Sequence, residues 1–252
     1  MTGPHSDKRA EPTTRAYRRA VVDQIAARPP VVHEMDRSES PPLGVWSTDV
    51  DCYRFIAERC SIGCRTLETG AGLSTVVFAA LSADHICITP NAEEVERLRD
   101  YCDAAGFATD QVTFIVDSSH AALPQLHQPL DLVFIDGCHG FPLPILDWFY
   151  AAALLVEGGI LVIDDAQLPA VRTLLDFVRR DPRWVPVTDG SKWAAFRRSS
   201  AGELVEDWID QPFYAVRAPG VAGLLARLRG RFRREVAAAV QRRSDRRHPP
   251  TG

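Results

Sequence analysis

The stretch Leu67-Glu68-Thr69-Gly70-Ala71-Gly72-Leu73-Ser74-Thr75 constrains the fold more than any other part of the chain. The run Arg65-Thr66-Leu67 leads into it, and Ser74-Thr75-Val76-Val77-Phe78-Ala79-Ala80 leaves it with helical spacing. The pattern predicts the end of a buried strand, a tight glycine turn and the first turn of a helix. Gly70 and Gly72 carry no Cβ and can take positive φ, so a ligand can lie directly on the backbone. The helix beyond them turns free N–H groups and the positive end of its dipole toward that ligand. Glu68, just before the turn, would repel a dinucleotide phosphate and attract a cationic amino-acid ligand. The dinucleotide pattern G-x-G-x-x-G is also incomplete, because its third glycine position is Thr75. A tight turn that binds nothing shares this local pattern.

From Arg65 onward, strand and helix signals alternate at the spacing of βαβ units. Apolar strand runs fall at Ile86–Ile88, Val112–Val116, Leu130–Ile135 and Ile160–Ile163, with helical patterns at Ala92–Ala105, Ala121–Leu126 and Leu143–Leu155 between them. A further helix over about Pro169–Arg180 precedes two shorter strands, Trp184–Val187 and Lys192–Arg197, joined by an Asp189-Gly190 turn. The expected fold is α/β: a mostly parallel seven-stranded sheet with a C-terminal antiparallel hairpin and helices on both faces. Three regions follow: a flexible N-terminal segment over 1–42, an α/β domain over 43–200 and a C-terminal extension over 201–252. Within the first, Tyr17–Ala27 has the makings of a short helix, and Asp49–Arg59 reads as a helix with Tyr53, Phe55 and Ile56 inward.

The net charge of −4 makes the body no general polyanion binder. Basic charge gathers at the ends, with nine arginines between Gly220 and Gly252 against Glu235 and Asp245. Six cysteines show no C-x-x-C pair and no zinc-like spacing, and reduced buried thiols account for most of them. No apolar signal segment or membrane-length run is present, so a cytoplasmic protein is expected.

A second constellation is Asp131-Leu132-Val133-Phe134-Ile135-Asp136-Gly137-Cys138-His139, followed by Glu157-Gly158-Gly159-Ile160-Leu161-Val162-Ile163-Asp164-Asp165. Asp136 ends one strand run and Asp164-Asp165 end the next. Neighbouring strands lie about 4.8 Å apart, so three carboxylates converge at one sheet edge. Unpaired, they raise one another's pKa; a hard divalent cation such as Mg²⁺ would relieve them. Acids can also stand at such a sheet edge without metal.

The acid before G-x-G resembles motif I of the class I S-adenosylmethionine-dependent methyltransferases. I-D-G-x-H with the later D-D is similar to the branch around macrocin O-methyltransferase and, more distantly, catechol O-methyltransferase. The resemblance covers roughly Val45 to Arg197 and implies a Rossmann-like sheet binding S-adenosylmethionine. It places Glu68, Gly70, Ala71, Gly72 and Ser74 around the methionine and ribose part of the cofactor. The usual ribose acid at the second strand tip is replaced by Thr89-Pro90, leaving Asn91 or Glu93, each of which also suits a helix cap or first turn. Asp117 and Ser118 fall at the adenine position, where a helix N-cap role is compatible. Asp136, Asp164 and Asp165 match the Mg²⁺ ligands, Asp136 also facing the cofactor, with His139 as base or orienting group beside them. The implied reaction is O-methylation of a small hydroxylated metabolite or glycoside.

Two other readings stay open: a nicotinamide-dependent oxidoreductase, disfavoured by Thr75, Glu68 and the missing acid, and a catalytically inactive scaffold of the same fold. His120 and His127 read as surface residues, and Trp148, Phe149 and Tyr150 as helix packing. Leu224, Leu228, Phe232, Val236 and Val240 form a stripe ringed by arginines, a basic amphipathic helix. A solvated or partner-contacting helix is the reading favoured over a membrane surface or nucleic acid, and a homo-oligomer is compatible with it.

Overall fold

The computed structural model describes residues 14–200, 204, 207 and 211–215. The basic stripe from Leu224 to Val240 and Trp208 lie outside the described residues.

The chain runs α1 (Arg15–Ala27), β1 (His33–Glu34), β2 (Leu43–Gly44), α2 (Val50–Arg59), β3 (Arg65–Thr69), α3 (Leu73–Ala80), β4 (Asp84–Thr89) and α4 (Ala92–Ala105). It continues with β5 (Val112–Val116), α5 (Ser119–Ala122), β6 (Leu130–Ile135), α6 (Leu143–Leu154), β7 (Leu155–Ile163), α7 (Pro169–Val178), β8 (Trp184–Asp189), β9 (Ala194–Arg198) and α8 (Pro212–Ala215). Seven strands form one sheet in the order β5-β4-β3-β6-β7-β9-β8. The first five are parallel, and β9 runs antiparallel to both β7 and β8. The expected Rossmann-like sheet with its closing hairpin is therefore the one observed.

Apolar residues on both sides of each central strand explain the two layers. Along β6, Leu132 and Phe134 face a core built with α1 to α4. Val133 and Ile135 face a second core built with α5, α6 and α7. A strand that alternates apolar with apolar can be buried only between two helical layers. Among the described residues no helix is long and apolar enough to cross a membrane.

The strand order reverses at β3. From there the chain steps outward to β4 and β5, then returns to β6 on the other side, which opens a crevice at the carboxyl ends. Backbone bonds extend the ladder one residue past the strands. Asp117 N–H donates to Thr89 O (3.1 Å), Asp136 N–H to Thr69 O (3.1 Å) and Asp164 N–H to Ile135 O (3.0 Å). The acids that end these strands are thus anchored side by side.

The N-terminal segment departs from a flexible lead. Helix α1 packs on α2 and α3 through Val21, Val22 and Ile25, and β1 pairs antiparallel with β2. The stretch from Arg28 to Asp49 crosses the carboxyl edge of the sheet as a strap. Its near end is held by Tyr101 and Arg97 of α4, which donate to the carbonyls of Arg28 (2.6 Å) and Val32 (2.8 Å). Its far end is held by Lys192, donating to Ser47 O at 2.6 Å, and by Thr48, donating to Asp164 Oδ1 at 2.5 Å.

Candidate active site

Beneath the strap lies a cavity of about 780 Å³. Its walls are the glycine turn, the tips of β4 and β6, the start of α5 and the residues after β7.

Gly70 has φ +91°, and a Cβ on it would collide with the Asp136 carbonyl, so only glycine fits this turn. Gly72 differs: its φ of 173° is extended backbone, and positive φ is not required there. Thr75 accepts the Gly72 N–H at 2.9 Å and donates its own hydroxyl hydrogen to Glu68. Glu68 is fully buried and also receives His85 Nε2 at 3.1 Å; the Nδ1 of His85 lies 2.7 Å from the Thr66 hydroxyl. Glu68 is therefore not a wall of the cavity. Through Thr75 it supports the turn from below.

Gly70, Ala71, Gly72 and Ser74 do line the cavity. Asn91 does not: its side chain caps α4, accepting from Glu93 N at 3.0 Å and Glu94 N at 3.4 Å. Glu93 is engaged by Arg97. The carboxylate that reaches the cavity is Glu94, which receives the Thr89 hydroxyl at 2.8 Å. An acid on the first turn of α4 thus stands beside Thr89-Pro90 at the strand tip. Spacing gave no signal for this, because three acids follow Asn91 within one turn and a half and only the helix phase distinguishes them. Asp117 is exposed and accepts from Ser118 N at 2.7 Å outside the cavity, whereas Ser118, Ser119 and His120 line it.

At the other end stand Asp136, Asp164, Asp165, His139 and Lys192. His139 Nε2 lies 2.9 Å from Asp165 Oδ2 and 3.9 Å from Asp136 Oδ1. Asp136, His139 and Asp165 form the group whose ligand atoms could share one ion. Asp165 adopts φ +53°, a left-handed conformation that directs its carboxylate toward His139. Asp164 is almost fully buried, with one oxygen held by Thr48, so it stands behind the other two. Burial pushes the Asp136 carboxyl well above the ordinary range, and Asp164, Glu68 and Asp165 push it further the same way. Burial is also the main cause that raises Asp164. Asp136, His139 and Asp165, held this close, fit a divalent cation, which would restore the ionised form of the two acids. The imidazole beside them broadens the choice from Mg²⁺ toward transition metals.

The strap supplies lining residues with no sequence signal: His33, Met35, Val45, Trp46 and Ser47. Strands of two residues carry no readable period. Trp148 is buried against Phe177 and stays away from the cavity.

Comparison with known proteins agrees with this geometry. Residues 67–166 match the family described as "Methyltransferase domain". The chain is 30% identical over 125 residues to catechol O-methyltransferase of Bos taurus, an alignment covering 48% of this chain and 41% of that protein. The chain thus spans about two fifths of that relative's length. A structure described as an rRNA methylase of Clostridium thermocellum shares the fold, with a TM-score of 0.51 at 18% identity over 60% of this chain and 96% of the other. Sheet order, glycine turn and the match over residues 67–166 together make the chain similar to the class I S-adenosylmethionine-dependent methyltransferases.

Proposed function

We propose that the protein transfers the methyl group of S-adenosylmethionine to a hydroxyl oxygen of a small metabolite or glycoside. The observation that carries the reading is one cavity with the glycine turn at one end and Asp136, His139 and Asp165 at the other. In this reading the turn and Ser74 hold the methionine part. Glu94 takes the ribose hydroxyls, and Ser118 and Ser119 face the adenine. The sulfonium methyl is already activated, so the chain has to align an oxygen with it and exclude water. The strap supplies that exclusion.

A hydroxyl is a weak nucleophile at neutral pH. A divalent cation held by Asp136 and Asp165, with Asp164 in support, would lower the hydroxyl pKa. His139 is within reach of the same point and would take the proton, its ring oriented by the contact of Nε2 with Asp165. The relative's acceptor is a catechol by its name, which supports oxygen as the atom methylated here. A cavity of about 780 Å³ suits a small molecule beside the cofactor, in preference to a nucleic acid or a membrane. Five buried, unpaired cysteines suit a reducing, cytoplasmic compartment.

Calorimetric titration of S-adenosylmethionine against wild type and Gly72→Val tests the cofactor half, because a valine there meets His33, which lies 3.3 Å from a Gly72 Cβ. Micromolar binding lost in the variant supports the reading, and absence of binding by wild type overturns it. Turnover of hydroxylated acceptors with and without Mg²⁺ then tests the chemistry.

A further inference from the structure

The Ala71–Gly72 peptide is held from two sides. Its N–H donates inward to Thr75. Its carbonyl accepts outward from His33 Nε2 at 2.8 Å. The other ring nitrogen of His33, Nδ1, accepts the Trp46 backbone N–H at 3.1 Å. A backbone N–H can only donate and a carbonyl can only accept, so the two bonds together require the neutral ring protonated at Nε2.

The surrounding chain fixes His33 in this place. It is the first residue of β1 and pairs with Gly44 of β2. Val32 on one side donates its N–H to Gly44 O (3.1 Å), and Met35 on the other donates to Pro42 O (2.9 Å). Since His33 and Trp46 both line the cavity beside the turn, a ligand lying on Gly70 to Gly72 lies under the strap. Of the strap's attachments, the His33 bond is the one made to the glycine turn itself.

We propose that His33 is a positioning residue for the cofactor: it joins the strap to the glycine turn, so that the two hold the ligand as one unit. This rests on the methyltransferase reading above. His33 touches the turn and takes no part in chemistry. Its loss therefore raises the dissociation constant and KM for S-adenosylmethionine and leaves kcat at saturation near the wild-type value.

Two isosteric variants separate the ring's two bonds. The amide nitrogen of His33→Gln reaches about as far as Nε2 and can still donate to Ala71 O. The amide oxygen of His33→Asn replaces Nδ1 and can still accept from Trp46, but the side chain cannot reach the turn.

The experiment is calorimetric titration of S-adenosylmethionine and S-adenosylhomocysteine into the full chain, as wild type, His33→Ala, His33→Asn and His33→Gln, with unliganded melting as the control for folding. The expected result is affinity weakened about five- to tenfold in the Ala and Asn variants, the scale of one hydrogen bond, and recovered to within about twofold in Gln. Unchanged affinity in His33→Ala, or recovery by Asn and not by Gln, would overturn the proposal and confine His33 to the hairpin. If His33→Ala does not fold, the Asn and Gln pair decides. Failure of wild type to bind either ligand is a distinct outcome: it removes the methyltransferase reading and this inference with it.

Discussion

Thr75 donates its hydroxyl hydrogen to Glu68 while accepting the Gly72 N–H, so one side chain links a buried carboxylate to the glycine turn. The acid before the turn therefore acts one layer below the turn. Thr75→Val keeps the shape and removes both bonds, leaving Glu68 short of a donor in the interior. A loss of about 2–3 kcal/mol in unfolding free energy is expected, together with weaker cofactor binding; Thr75→Ser should restore most of both. Denaturant unfolding and calorimetry read the two effects, and a neutral valine variant would sink this account.

Gly70 stands where φ is +91° and where a Cβ would run into the Asp136 carbonyl. Gly70→Ala should lose about 2 kcal/mol or more, from backbone strain and from displacement of β6 against β3. Gly63, also at positive φ but with open space around it, is the control and should lose less on the same change. Thermal unfolding of the two variants checks the ranking.

Asp147 of α6 is fully buried, with Ser119 and Thr69 nearby but no hydrogen bond of ordinary geometry to either carboxylate oxygen. Burial is the main cause that raises its pKa in the folded state. The sign follows: the native state holds this proton more tightly than the unfolded chain, so the group costs stability once ionised. That cost is present above the folded pKa and disappears as pH falls toward the ordinary carboxylate value of about 4. Asp147→Asn should be the more stable protein at neutral pH, with the difference shrinking in acid. Denaturant midpoints measured across that pH range test it, and a constant difference would contradict it.

If His139 takes the acceptor proton, His139→Ala should lower turnover by about 10²- to 10⁴-fold with cofactor binding unchanged. Asp165→Asn should lower it too, through the loss of both the partner of His139 and a metal ligand. Chelation should abolish turnover in wild type, and added divalent cation should restore it. Full activity in the presence of chelator would remove the metal and keep the methyl transfer.

The order of strands and helices was legible in the sequence because the signals are local. The alternating apolar runs of β4, β5 and β6, the glycine turn and the Asp189-Gly190 hairpin each follow from period and turn chemistry over a few residues. The convergence of Asp136, Asp164 and Asp165 was legible for the same reason, since each ends a strand in a parallel sheet. What only the tertiary structure decided is where side chains point and which distant segments meet. Glu68 faces inward because Thr75 and His85 approach it from α3 and β4. Glu94 reaches the cavity and Asn91 does not because the phase of α4 turns one toward Thr89 and spends the other on its cap. The strap closes over the site through His33, Ser47 and Thr48, which contact residues 38 to 145 positions away. Bonds between a side chain and a remote backbone carbonyl leave no periodicity in a sequence, so no local pattern could announce them.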